Sequence, residues 1–60
     1  MSNITILEID HYITDHLGND YVITQETRNT FPAAMREMKL RAKAKGHTWR
    51  RSVKIGEFKL

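Results

Sequence analysis

The sequence predicts a small α+β domain of order β-β-α-β, a three-stranded antiparallel sheet with one helix packed on one face. Three observations lead there. Two stretches rich in β-branched and aromatic residues flank a cluster of turn formers. A run of strong helix formers follows, set between a capping residue and a glycine. The last stretch returns to a period of two. Residues 1–60 make one domain, and a chain this short buries only about 60% of its unfolded surface.

In "ITILEIDHYIT", Thr5, Leu7, Ile9, His11 and Ile13 share one face. Ile4, Ile6, Glu8, Asp10 and Tyr12 share the other, which turns polar halfway along. Two courses are open to this strand: straight on through Tyr12, or a bend near Asp10. "DHLGND" is dense in turn formers, with Gly18-Asn19 suited to positive φ. "YVITQET" is the second strand, and the pair predicts a hairpin over residues 3–27.

A helix is predicted over residues 31–45. Asn29 or Thr30 can cap it, because a short side-chain oxygen accepts from an orphan backbone N–H. Pro32 sits in the first turn, where its missing N–H costs little. Gly46 is the left-handed stop, and Lys43 and Lys45 suit the negative end of the dipole. At 100° per residue, Phe31, Ala34, Met35, Met38 and Ala42 form a stripe facing the sheet. Leu40 lies opposite, as either a single exposed leucine or the seed of a small helix–helix contact in a dimer.

The final strand is predicted over residues 48–59. Trp49, Val53 and Ile55 share a face that Arg51 interrupts, and Arg50, Ser52 and Lys54 share the other. Gly56 is expected to mark a bulge that turns Phe58 inward.

Composition narrows the function classes. A chain 40% hydrophobic and 28% charged is globular rather than disordered. No cysteine is present, so neither a disulfide nor a thiolate metal site can support it. No apolar run suits a membrane span, and the N-terminus lacks the pattern of a signal peptide. A soluble, cytoplasmic protein is the expectation. With so small a core, a homodimer also fits.

The three histidines do not match zinc spacing: His11 and His16 are five apart, near Asp15 and Asp20, and His47 is distant. His16 reads as a turn residue and His47 as a cation at the helix C-terminus. Ser2, Ser52 and the threonines have no His or acid nearby in a sensible constellation. Glu8 and Asp10 read as an exposed ladder facing cross-strand cations rather than as a catalytic pair. Gly18, Gly46 and Gly56 do not form a phosphate loop. The expectation is no enzyme, no metal and no cofactor.

Charge is the informative feature. The net +3 hides an asymmetry. Residues 1–30 carry one arginine against five acids, a net −4; residues 31–60 carry nine Lys/Arg against two acids, a net +7. Such a split points to an anionic partner, or to two halves that neutralise each other on packing. Lys39 and Lys43 fall on one flank of the helix, Arg41 and Lys45 on the other. Lys43, Lys45, Arg50 and Arg51 are expected to meet around Gly46 as one patch. The candidate partner-binding residues are Arg50, Arg51, Lys54, Lys43, Lys45 and Arg41.

An acidic protein surface is the leading partner, because arginine forks pair with carboxylates and speed association. Nucleic acid is the alternative, through phosphate contacts and counterion release. For stacking, Tyr12 and Tyr21 are expected on the open sheet face beside Arg50 and Lys54. No helix-turn-helix, zinc finger, basic zipper or RNP-type motif is present.

The stretch "YVITQETRNTFPAAMREMKLRAKAKGHTWRRSVKI" carries a hairpin strand, an Ala-bearing amphipathic helix, a glycine and an arginine-bearing strand. In order and spacing it resembles the small coliphage inhibitors of host RNA polymerase. The resemblance implies a non-enzymatic binding protein of phage or mobile-element type that inhibits or modulates a host protein. In that family, arginines of the final strand contact an acidic polymerase surface, and Arg50 and Arg51 stand at the matching positions. The helix here is basic where that family's helix is acidic.

Overall fold

A computed structural model describes residues 3–60. The elements are β1 (Thr5–Thr14), β2 (Asp20–Thr27), α1 (Phe31–Ala44) and β3 (Thr48–Lys59). The strands form one antiparallel sheet in the order β2-β1-β3. The fold is α+β, with the helix on one face of the sheet.

β1 becomes the central strand because it can bury a whole face. Leu7, Ile9, His11 and Ile13 are buried at alternate positions, and the strand runs unbroken past Asp10 to Thr14. The turn that follows is organised by Asp15. Its carboxylate accepts from the backbone N–H groups of Leu17 and Asn19, both at 2.9 Å. Gly18 takes the positive φ, at +86°, and Asn19 does not share it.

Thr30, not Asn29, is the helix N-cap, accepting from the Ala33 N–H at 3.4 Å. The C-terminus closes with paired hydrogen bonds. Gly46 N–H donates to the Lys43 carbonyl at 3.0 Å, and His47 N–H donates to the Ala42 carbonyl at 2.8 Å. This cap requires Gly46 at φ +75°. It reverses the chain within three residues and starts β3 beside the end of α1.

Ala34, Met38 and Ala42 are buried on α1, with Phe31 and Met35 half-buried beside them. The core divides in two. Leu7, Ile9 and Ala34 pack with Phe31 at one end. Ile13, Met38 and Ala42 pack with Tyr21, Ile23 and Trp49 at the other. Each fully buried isoleucine contributes about 1.5–3 kcal/mol.

β3 departs from the alternation read in the sequence. The register moves from Ile9↔Lys54 to Glu8↔Gly56 and from Ile13↔Trp49 to Tyr12↔Arg51. Ile55 and Arg50 are therefore extra residues, each at a bulge. Directly paired residues share a face of the sheet. Trp49, Ser52, Lys54 and Glu57 thus lie on the helix side, while Arg51, Val53 and Phe58 lie on the open face. The expected set of Trp49, Val53 and Ile55 is broken up, and so is that of Arg50, Ser52 and Lys54. Phe58 does not turn inward; it pairs with Ile6 and is 44% exposed. The helix spans about 21 Å, against a molecular length of 47 Å, so it cannot cover the far end of β3.

Candidate functional site

The register sorts the charges by face. Glu8 pairs with Glu26, Asp10 with Thr24, and Thr14 with Asp20, all on the open face. Four of the seven acids therefore share that side, where Arg51 stands among them. No cation faces Glu8 or Asp10 across a strand, contrary to the expected ladder: Glu8 faces Glu26 and Gly56, while Asp10 faces Val53 and accepts from the Thr24 hydroxyl at 2.7 Å. On the other side, α1 carries Arg36, Lys39, Arg41 and Lys43 against Glu37. Lys54 and Lys59 share that side with Glu57. The charge split along the chain has become a split across the sheet.

A groove of about 370 Å³ runs between α1 and the start of β3. Arg36, Lys39, Leu40, Lys43, His47, Thr48 and Trp49 line it. Every titratable side chain among them is basic. Arg36, Lys39 and Lys43 form no ion pair among the described residues. The Lys39 ammonium sits 5.1 Å from the centre of the Trp49 ring, within range of a cation–π attraction. Leu40 is 62% exposed beside it. Exposed apolar surface beside three cations suits a partner that carries both carboxylates and apolar side chains.

Trp49 is held in place from beneath. Its indole N–H donates to Ser52 Oγ at 3.0 Å. Ser52 Oγ lies 2.7 Å from His11 Nδ1, and His11 Nε2 lies 2.7 Å from Gln25 Oε1. The Gln25 carbonyl oxygen can only accept, so His11 Nε2 donates to it; in the tautomer this selects, Nδ1 accepts from the Ser52 hydroxyl. One chain of donors then runs Trp49, Ser52, His11, Gln25 across all three strands. His11 is 0% exposed, and no buried side-chain polar atom among the described residues lacks a partner.

This network corrects the reading that Ser52 has no histidine nearby. The sheet register brings His11 to Ser52 across 41 residues of sequence. Ser2 lies outside the described residues. The imidazole is sealed under the helix, so the arrangement is suited to fixing the indole rather than to attacking a substrate.

The predicted binding residues do not meet as one patch. Of the six, Lys43 alone lines the α1–β3 groove. Lys45 and Arg41 lie on the opposite flank of α1, around a depression of about 100 Å³ over Ile13, Tyr21 and Ile23. Arg41 is tied to Glu37 at 2.8 Å. Lys54 is tied to Glu57 at 3.0 Å. Arg50 and Arg51 line a third hollow with Tyr12 and Val22, where the Arg51 guanidinium lies 4.6 Å from the Tyr12 ring centre. Of the two tyrosines expected on the open face, only Tyr12 is there. Tyr21 packs under the helix, and its hydroxyl meets His47 Nδ1 at 2.8 Å. His47, read as a bare terminal cation, also stacks on His16 at 5.7 Å.

Arg36, Lys39, Leu40 and Trp49 were absent from the predicted set. Arg36, Lys39, Leu40 and Lys43 follow the i, i+3, i+4, i+7 spacing of one helical stripe. That stripe was legible, but its neighbour Trp49 is set by tertiary structure. Among the described residues no group of three or more His, Asp or Glu is placed to hold a metal ion, and no helix is long and apolar enough to cross a membrane. No protein-family model, curated protein or solved structure matches the chain.

Proposed function

We propose that this chain is a small non-catalytic binding protein that docks its α1–β3 groove on an acidic protein surface and acts by occupying it. One observation carries the reading: Arg36, Lys39 and Lys43, which form no ion pair among the described residues, line one groove with the half-buried Trp49 and the exposed Leu40, and most of the acids lie on the other face of the sheet. Exposed charge pairs give about 0.2–1 kcal/mol each, so Arg36, Lys39 and Lys43 chiefly steer and orient. Covering Leu40 and the indole face supplies the anchor, at about 1–2 kcal/mol for a leucine that is 62% exposed. The aliphatic Leu40 is matched better by an apolar side chain than by a phosphate or a stacked base, which favours protein over nucleic acid. The resemblance to coliphage inhibitors adds only the mode of action, stoichiometric inhibition of a host protein.

The test is affinity capture from a nuclease-treated bacterial lysate by the parent protein and by Lys39→Glu/Lys43→Glu. The parent is expected to retain a protein that the charge-reversed variant loses. Equal retention by both, or retention that vanishes after nuclease treatment, would sink the reading.

A further inference from the structure

We propose that the partner binds as an added strand: a short, extended, acidic peptide segment pairs with the free edge of β3 and sends alternate side chains into the α1–β3 groove. This rests on the docking role proposed above and names the form of its partner.

Among the described residues β3 pairs with β1 alone, so its other edge offers backbone N–H and C=O groups to solvent. Thr48 and Trp49, at the start of that strand, form one wall of the groove, and the flank of α1 forms the other. A strand laid along this edge lies about 4.8 Å away and alternates its side chains between the two faces. On the helix side they meet Trp49, Leu40 and the Arg36, Lys39 and Lys43 cations. On the open side they meet Arg51 and Val53. Carboxylates are matched on both sides, with an apolar residue needed over Trp49 and Leu40.

The bulges limit the length. Arg50 and Ile55 bracket Arg51–Lys54, so regular pairing is confined to these four residues, and the end of the peptide that runs on past Arg50 is the part that enters the groove beside Thr48 and Trp49. Both bulges break the edge elsewhere and discourage indiscriminate pairing along its whole length. Main-chain bonds thus supply part of the affinity, and the groove supplies the selectivity.

A random ten-residue peptide display library selected on the intact protein provides the probe. The enriched peptide is then synthesised in three forms: unmodified, and N-methylated at odd or at even positions. A thymidine decanucleotide is titrated in parallel, with emission of Trp49, the chain's single tryptophan, as the readout. The expected peptide is acidic with interspersed apolar residues. N-methylation in one parity should weaken binding roughly tenfold or more, and in the other parity leave it nearly unchanged. Acidic peptides that bind regardless of methylation parity would overturn the added strand and leave the groove reading standing. Enrichment of non-acidic peptides, no enrichment, or tighter binding of the oligonucleotide would overturn both.

Discussion

Replacing Ser52 by alanine tests the buried polar chain, and its size can be worked from the geometry. The hydroxyl serves two neighbours: it meets His11 Nδ1 at 2.7 Å and the Trp49 indole N–H at 3.0 Å. Without it, the fully buried imidazole nitrogen is left unpaired, at a cost of about 1–3 kcal/mol. Trp49 is half-buried, so its N–H can reach water and adds little. A net loss of about 2 kcal/mol is large against the ~3–9 kcal/mol expected for a chain of this size. The midpoint of thermal unfolding, followed by far-ultraviolet circular dichroism, should fall by roughly 8–16 °C. Trp49 emission should also shift, because the indole loses its tether. In Ser52→Ala/His11→Leu the orphaned nitrogen is gone, and part of the loss should be recovered. A midpoint within about 2 °C of the parent for Ser52→Ala would refute the claim that this hydroxyl carries the network.

Gly46→Ala should cost about 1 kcal/mol in chemical denaturation. A Cβ there meets nothing within 4 Å, so the whole penalty is the positive φ; an unchanged midpoint would contradict the cap. Glu26→Lys should stabilise by about 0.2–1 kcal/mol, because it turns the directly opposed Glu8–Glu26 pair into an ion pair. A lower melting midpoint would speak against that register. Asp15 should titrate below the ordinary carboxylate value of about 3.9, since the backbone N–H of Asn19 above all favours its charged form. Its contribution to stability is then present above that value and lost as pH falls through the depressed one. A carboxyl-carbon NMR titration checks this, and an ordinary midpoint for Asp15 would remove it.

Much of the fold was legible because it rests on local patterns. Period two placed Leu7, Ile9, His11 and Ile13 on one face, and the helical stripe picked out Ala34, Met38 and Ala42. Thr30, Pro32 and Gly46 bounded the helix through chemistry that acts within one turn of chain. The site was less legible. Simple alternation mis-assigned Arg51, Val53 and Lys54, because one extra residue flips every position beyond it. Gly56 marked the bulge beside Ile55 in the sequence, but nothing in the composition of β3 marks the one at Arg50; the pairing with β1 does.

By itself the sequence determined the element order, the core face of β1 and α1, the caps, and an acidic first half joined to a basic second half. Tertiary structure decided where those charges went. Pairing β1 with both neighbours put Glu8, Asp10, Asp20 and Glu26 on one side of the sheet, while the cap at Gly46 brought Trp49 against Lys39 on the other. The physical reason is range. Capping and periodicity act over a few residues, but the face on which a β3 side chain emerges is set by a ladder to a strand some forty residues earlier in the chain.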